Sequence, residues 1–283
     1  MTRIPTIEWQ VAGACNYHCS YCIQSPRYRR GRPDQAAVDR ALATFAALPG
    51  QWEIKCSGGE AFAHPLFLTR IVPGLMTETP HRISVLTNFS ASRDELAGFA
   101  AATRGRLDVF SASLHVEHVD IDAFVAKAAW FVGLVPGVRF VVNQVVRPDH
   151  LDEAHAGKRA VEAAGLRWFP QLLKAKGGVA TFPDEAALRA VIGDAPGPRQ
   201  ANLAPSYRGR TCWSGVDYFT VDKDGTAWSC RTAKRHGEGR LGNVFDGDLV
   251  RRTAPGVCPW GICPCTVPAN RGMIEGIGAA EEA

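Results

Sequence analysis

Apolar residues along the first two thirds of the chain alternate between two periods. Short β-branched and apolar runs occur at 6–13, 51–57, 82–88, 107–115, 138–146 and 166–174, as buried parallel strands require. Helical patterns lie between them. One follows Pro33-Asp34 and puts Val38, Leu42, Phe45 and Leu48 on one face, with Asp34 as its cap. Others cover 65–77, 92–104, 119–134 and 150–164, and a further one, 184–194, follows the sixth strand. Strict strand–helix alternation predicts an α/β fold with a parallel sheet or barrel and right-handed crossovers.

The pattern breaks at 195–211, a Pro-, Gly- and Arg-rich linker. Beyond it, YFTVDKDGTAWSC reads as a hairpin turning at Asp224-Gly225, followed by a short helical piece and CPWGICPC. Residues 212–272 form a segment expected to be too small for a core without a metal. The expected division is a barrel over 1–194, the linker 195–211, a small metal domain over 212–272 and a frayed tail over 273–283. No internal repeat is present.

Composition adds little to this. The chain has 283 residues, 46% hydrophobic and 21% charged, with a net charge of +4. That is ordinary for a globular protein and too weakly basic to imply nucleic-acid or membrane binding. The first ten residues lack signal-peptide character, so a cytoplasmic location is expected.

The nine cysteines change the picture. An odd number in a reducing compartment does not suit a disulfide framework. Cys15, Cys19 and Cys22 crowd the start, Cys212, Cys230, Cys258, Cys263 and Cys265 crowd the end, and Cys56 stands between. Two clusters suggest two metal sites. Three cysteines in one loop suit a [4Fe-4S] cluster with one iron left open, or zinc if His18 joins them. The C-terminal set suits a second iron–sulfur cluster or a structural zinc.

ACNYHCSYC, at the end of the first strand, resembles the Cys-x3-Cys-x-aromatic-Cys motif of the radical S-adenosylmethionine (radical SAM) superfamily, with Tyr21 at the aromatic position. The resemblance covers about residues 6–175 and implies a partial (β/α)6 TIM-like barrel. It implies that the open iron chelates SAM, and that reductive cleavage yields a 5′-deoxyadenosyl radical that abstracts a substrate hydrogen. Backbone near Tyr21 would contact the adenine. CSGGEAF matches the family's Gly-Gly-Glu turn after strand two, so Ser57, Gly58, Gly59 and Glu60 would seat SAM, with Glu60 near its ammonium. Asn88, Ser113 and Asn143 fall where the family keeps polar cofactor contacts. His115 replaces a common Asp and stands as a candidate substrate contact or a plain polar strand end.

Cys212-x12-Gly-x4-Cys230 resembles the opening of the SPASM/twitch extensions, whose hairpin ends ligate an auxiliary [4Fe-4S] cluster. The five C-terminal cysteines suit the shorter twitch form, with two of Cys258, Cys263 and Cys265 completing the set. That resemblance implies an oxidative outcome, such as dehydrogenation or cross-linking of a peptide or small-molecule natural product, with electrons from a flavodoxin or ferredoxin. A redox-neutral epimerase using Cys56 as hydrogen-atom donor and a non-catalytic metal-binding adaptor are the alternatives. Cys56 also suits a buried core thiol. PRYRRGR could dock an acidic donor or be a solvated loop. HVEHVD gathers His115, Glu117, His118 and Asp120 for acid–base work or a helix start. PANRGM is assigned no chemistry.

Overall fold

The computed structural model describes residues 3–175, 178–197, 200–264 and 266–277. Six strands alternate with helices as the pattern predicts. They are β1 (Thr6–Ala12), β2 (Glu53–Gly58), β3 (Arg82–Thr87), β4 (Leu107–Leu114), β5 (Arg139–Val146) and β6 (Arg167–Leu172). The helices between them are α1 (Gln35–Ala46), α2 (Val72–Thr77), α3 (Arg93–Ala102), α4 (Ile121–Leu134) and α5 (Leu151–Ala163). A π-helical turn, Phe67–Ile71, leads into α2.

Helix starts follow local chemistry. Asp34 and Asp120 accept hydrogen bonds from the Ala37 and Ala123 amides at 2.8 and 2.9 Å. Ser92 and Glu95 form a reciprocal capping box on α3. Asp120 therefore belongs to the start of α4.

β1 to β6 pair in parallel in sequence order. Two short strands follow, β7 (Lys174–Ala175) and β8 (Gly178–Val179), then α6 (Glu185–Ile192) and β9 (Thr211–Cys212). Next come β10 (Tyr218–Val221), β11 (Thr226–Trp228), α7 (Arg231–Arg235), β12 (Arg240–Asn243), β13 (Gly256–Val257) and α8 (Val267–Asn270).

The C-terminal hairpin does not stand apart from the barrel; among the described C-terminal strands only β9 and β13 pair separately, as a two-stranded sheet. β10 pairs in parallel with β1, and β11 and β12 continue antiparallel from it, giving one nine-stranded sheet ordered β12-β11-β10-β1-β2-β3-β4-β5-β6. Phe219, Val221, Leu241 and Val244 share a hydrophobic core with Trp9 and Phe45. This part of 212–272 therefore draws its core from the main sheet. The hairpin turns at Gly225 with φ of 83°, a conformation glycine adopts at little cost.

Two ion pairs on buried carboxylates tie the C-terminal segment to the first strands. Arg231 and the Tyr218 hydroxyl donate to Glu8 at 2.7 and 2.8 Å. Arg271 holds Glu53 with two hydrogen bonds, one at 2.7 Å, and both side chains are buried. Burial alone would raise the Glu53 pKa, but the charge and hydrogen bonds of Arg271, with help from Ser84 and Lys55, together outweigh it and hold the carboxyl at about 2.

Removing one partner of such a pair leaves a buried charge, so Arg271→Ala should cost about 3–5 kcal/mol in denaturant unfolding. The ordinary Glu53 value is 4.5 and the folded one about 2. The pair's contribution is thus fully present above the ordinary value and is lost as pH falls through the folded one. Parent stability should show this acid loss, and Arg271→Ala should lack it.

Candidate active site and cysteine centres

Side chains on parallel strands alternate between two faces. On β2, Ile54 and Cys56 join the core beneath the helices, while Lys55 and Ser57 face the opposite side. On β4, Phe110, Ala112 and Leu114 are in the core, and Ser111 and Ser113 face in. The inward faces of all six strands line one cavity of about 380 Å³. Among the described residues β6 does not pair with β12, so the curved sheet stays open.

Cys15, Cys19 and Cys22 leave β1 at the mouth of this cavity and line it together. Burial, then the charges of Cys15 and Cys22, push the Cys19 thiol up to about 11. Cys15 is raised for the same reasons, with Glu60 adding to it. Three crowded, mutually repelling thiolates are the environment that a cationic metal core relieves. His18 is exposed and does not line the cavity.

The turn after β2 presses against this loop. A Cβ on Gly58 or Gly59 would overlap the Ala12 or Ala14 carbonyl oxygen, and Gly58 has φ of 147°. The Gly59 and Glu60 amides donate to the Ala12 and Ala14 carbonyls, both at 2.9 Å. Only glycine lets the two backbones meet this closely.

Glu60 departs from its expected role. It is fully buried, lies outside the cavity lining, and accepts from the Phe62 amide, the Thr87 hydroxyl and the Asn88 amide at 3.0, 2.6 and 2.5 Å. Its carboxylate joins the ends of β2 and β3. Burial raises its pKa and these three hydrogen bonds oppose the rise. Cys56 is also fully buried off the cavity, and burial pushes its thiol pKa up. As a hydrogen-atom donor it would have no path to a ligand; it is a core residue, because period-two alternation turns it toward the helices.

Tyr21, Ser57, Gly58, Gly59, Asn88, Ser113, His115 and Asn143 all line the cavity with the three cysteines. Asn88 donates to Asn16 at 2.8 Å and reaches Cys15 Sγ at 3.8 Å. Ser57 Oγ and Asn143 Nδ2 are buried without a protein partner. Such orphans are rare and mark places where a ligand completes the hydrogen bonding. Thiolate donors, the glycine cradle and these two orphans fit an iron–sulfur cluster with a polar cofactor beside it.

His115 Nδ1 lies 2.9 Å from the Tyr21 hydroxyl and 3.6 Å from Cys19 Sγ. Burial, then the nearby His118, lowers its pKa to about 4, so its ring is neutral near pH 7. Glu117 accepts from the Ser20 amide at 2.9 Å and from Arg147 at 3.0 Å. Cys19, Glu117 and His118 offer ligand atoms within 4.8 Å of one another, but both non-sulfur groups are exposed and Glu117 is already paired.

A second concave site gathers Cys212, Cys230, Cys258 and Cys263. The β9–β13 pairing sets Cys212 opposite Gly256, two residues from Cys258. The β10–β11 hairpin returns the chain to Cys230, which caps α7. Burial, and then the charge of Cys212, raises the Cys230 and Cys258 thiols. The Tyr207 hydroxyl is buried among these sulfurs without a partner. Four thiols around an orphaned donor fit a cysteine-ligated cluster. Cys265 lies outside the described residues.

Sequence reading missed Lys55 and Arg167, which also line the main cavity. Their signal was available: each is the single cation of its strand.

No protein-family model matches the chain. It is 30% identical over 121 residues to GTP 3′,8-cyclase of Stenotrophomonas maltophilia (strain K279a), covering 40% of this chain and 35% of that protein. Its fold resembles Streptococcus suis SuiB, solved with the precursor peptide SuiA, with a TM-score of 0.61 at 11% identity over 88% of this chain. That match spans 64% of SuiB. It also resembles anSMEcpe, solved with AdoMet and the Cp18Cys peptide, with a TM-score of 0.59 at 15% identity, covering 85% of this chain and 77% of that one. The chain thus spans about a third of the cyclase and under two thirds of SuiB. Among the described residues no helix is long and apolar enough to cross a membrane.

The glycine cradle gives a direct test. Gly59→Ala should destabilise the protein by about 1–3 kcal/mol through overpacking. Because the displaced backbone is that of the cysteine loop, iron bound after reconstitution should fall by about four atoms, one cubane. Unchanged iron content and melting temperature would remove the cradle from the account.

Proposed function

We propose that the chain is a radical SAM enzyme. The observation that carries this is the convergence of Cys15, Cys19 and Cys22, the Gly58-Gly59 cradle and two orphaned polar side chains on one cavity. Fold likeness to a protein solved with AdoMet supports it. When bound on the three thiolates, a [4Fe-4S] cluster supplies the electron for reductive SAM cleavage and hydrogen-atom abstraction.

The chain's own residues do the rest. Gly58 and Gly59 admit the close approach of the cysteine-loop backbone and so set the wall beside the ligand. Ser57 Oγ and Asn143 Nδ2 offer it hydrogen bonds, with Ser113 on the adjacent strand. Asn88 holds the cysteine loop through Asn16 and Cys15. His115 is a positioning residue here: neutral, and bonded to Tyr21 beside Cys19.

Cys212, Cys230, Cys258 and Cys263 are the proposed ligands of an auxiliary [4Fe-4S] cluster in a twitch-like arrangement. That favours an oxidative reaction, dehydrogenation or cross-linking, on a peptide or small-molecule natural product, with a flavodoxin or ferredoxin as donor. The peptides bound by SuiB and anSMEcpe in their solved structures favour the peptide. An epimerase using Cys56 is disfavoured, since that thiol is buried away from the cavity.

Anaerobically reconstituted protein given SAM and dithionite should form 5′-deoxyadenosine. Cys15→Ala should abolish this and Cys56→Ala should retain it. Iron should number about eight atoms in the parent and about four in Cys212→Ala/Cys258→Ala. Absence of 5′-deoxyadenosine, or fewer than about four irons in the parent, would sink the proposal.

A further inference from the structure

The floor of the main cavity carries charge that SAM binding does not use. Lys55, Arg139, Arg167, Arg231 and Arg271 all line it, and Glu8 is the one carboxylate among its described lining residues. Three of these cations have acidic partners. Arg231 pairs with Glu8 at 2.7 Å, Arg139 with Asp108 at 3.0 Å, and Arg271 with Glu53. Lys55 and Arg167 make no hydrogen bond or ion pair with any described residue. Lys55 feels Glu8 and Glu53 at longer range, but both carboxylates are already held by arginines. These five cations face three carboxylates, which leaves Lys55 and Arg167 over, and Lys174 and Arg235 also line the cavity. Arg82 touches Asp108 at 3.5 Å from its more exposed side and adds to the excess.

Both unpaired side chains are half-buried. A cation removed from water costs free energy unless a partner compensates it. Burial and the neighbouring Arg139 charge both work against protonated Arg167. Above them stands Asn143, buried, with its carbonyl taken by Gln171 at 3.1 Å and its Nδ2 without a partner. That nitrogen is a donor only. The cavity thus offers two cations without a direct carboxylate partner, Lys55 on β2 and Arg167 on β6, and the Asn143 amide is left to the cofactor. The complement of such a set is an oxyanion, which accepts charge-assisted hydrogen bonds.

Depth separates this place from the cysteine loop. Lys55 lies four residues before Gly59 on β2, which at about 3.3 Å per residue is ~13 Å along the strand. Arg167 precedes Gln171 by the same step on β6. A group bound on the floor leaves the remainder of its molecule directed up toward the loop.

We infer that the floor is a substrate-recognition subsite in which Lys55 and Arg167 hold a carboxylate or phosphate oxyanion. The assignment of that oxyanion to a substrate rests on the radical SAM reading; anion binding itself is read without SAM cleavage.

The test is calorimetric titration of the anaerobically reconstituted protein at low salt with two probes. One is inorganic pyrophosphate and the other a capped tri-glutamate peptide. At least one should bind saturably, and tighter pyrophosphate binding identifies a phosphoryl substrate, tighter peptide binding an acidic peptide. Arg167→Gln and Lys55→Gln should each weaken the preferred probe about tenfold or more. Arg104→Gln, at an exposed position off the cavity, should not. The inference is overturned by two results. One is failure of both probes to bind a protein of full iron content, and the other is binding that both floor variants leave unchanged. Either can occur while 5′-deoxyadenosine still forms, so the two proposals fail separately.

Discussion

Three strand ends are stitched together by the turn after β2, and the geometry of the mouth depends on it. The Gly59 and Glu60 amides bond to the backbone leaving β1, while the Glu60 carboxylate bonds to the end of β3. Asn88 then reaches across to the loop carrying Cys15. Side chains at 58 and 59 would hold the strands apart, so the sequence must be glycine there. Glu60 is spent on this internal join, and its buried hydrogen bonds fix the ends of β2 and β3 at the mouth.

Below that join, period-two alternation does the sorting. Each strand gives one face to a core of Phe, Ile, Val and Trp and the other to the cavity. The C-terminal segment completes the arrangement from below. It extends the sheet past β1 and fastens itself with Glu8–Arg231 and Glu53–Arg271. The same two arginines that anchor it also line the cavity floor, so folding and the charge of the floor are coupled. A chain that lost the C-terminal segment would lose both.

Much of this was legible in the sequence because it depends on local rules. The six strands, their helices and the cap at Asp34 follow from periodicity and hydrogen-bonding chemistry at single positions. The gathering of Cys15, Cys19 and Cys22 with Ser57, Asn88, Ser113 and Asn143 follows because parallel strands end on one rim. What was not legible depends on long-range register. The joining of β10 to β1 needs a pairing across more than two hundred residues. Glu60 turns inward because Thr87 and Asn88 lie opposite, which no spacing reveals. The turn at Phe89, with φ of 61°, is similarly hidden: a bulky residue in that region is strained, and here its ring is locked among Phe110, Phe124 and Phe131.

The central claim is that the three-cysteine loop holds a cluster with one iron open to SAM. Electron paramagnetic resonance of the dithionite-reduced Cys212→Ala/Cys258→Ala protein isolates that cluster from the second site. The account predicts a reduced [4Fe-4S] signal that changes shape when SAM is added and shows coupling to the nitrogen of amino-labelled SAM. A protein with no such signal, or a signal that SAM leaves unchanged, would contradict it.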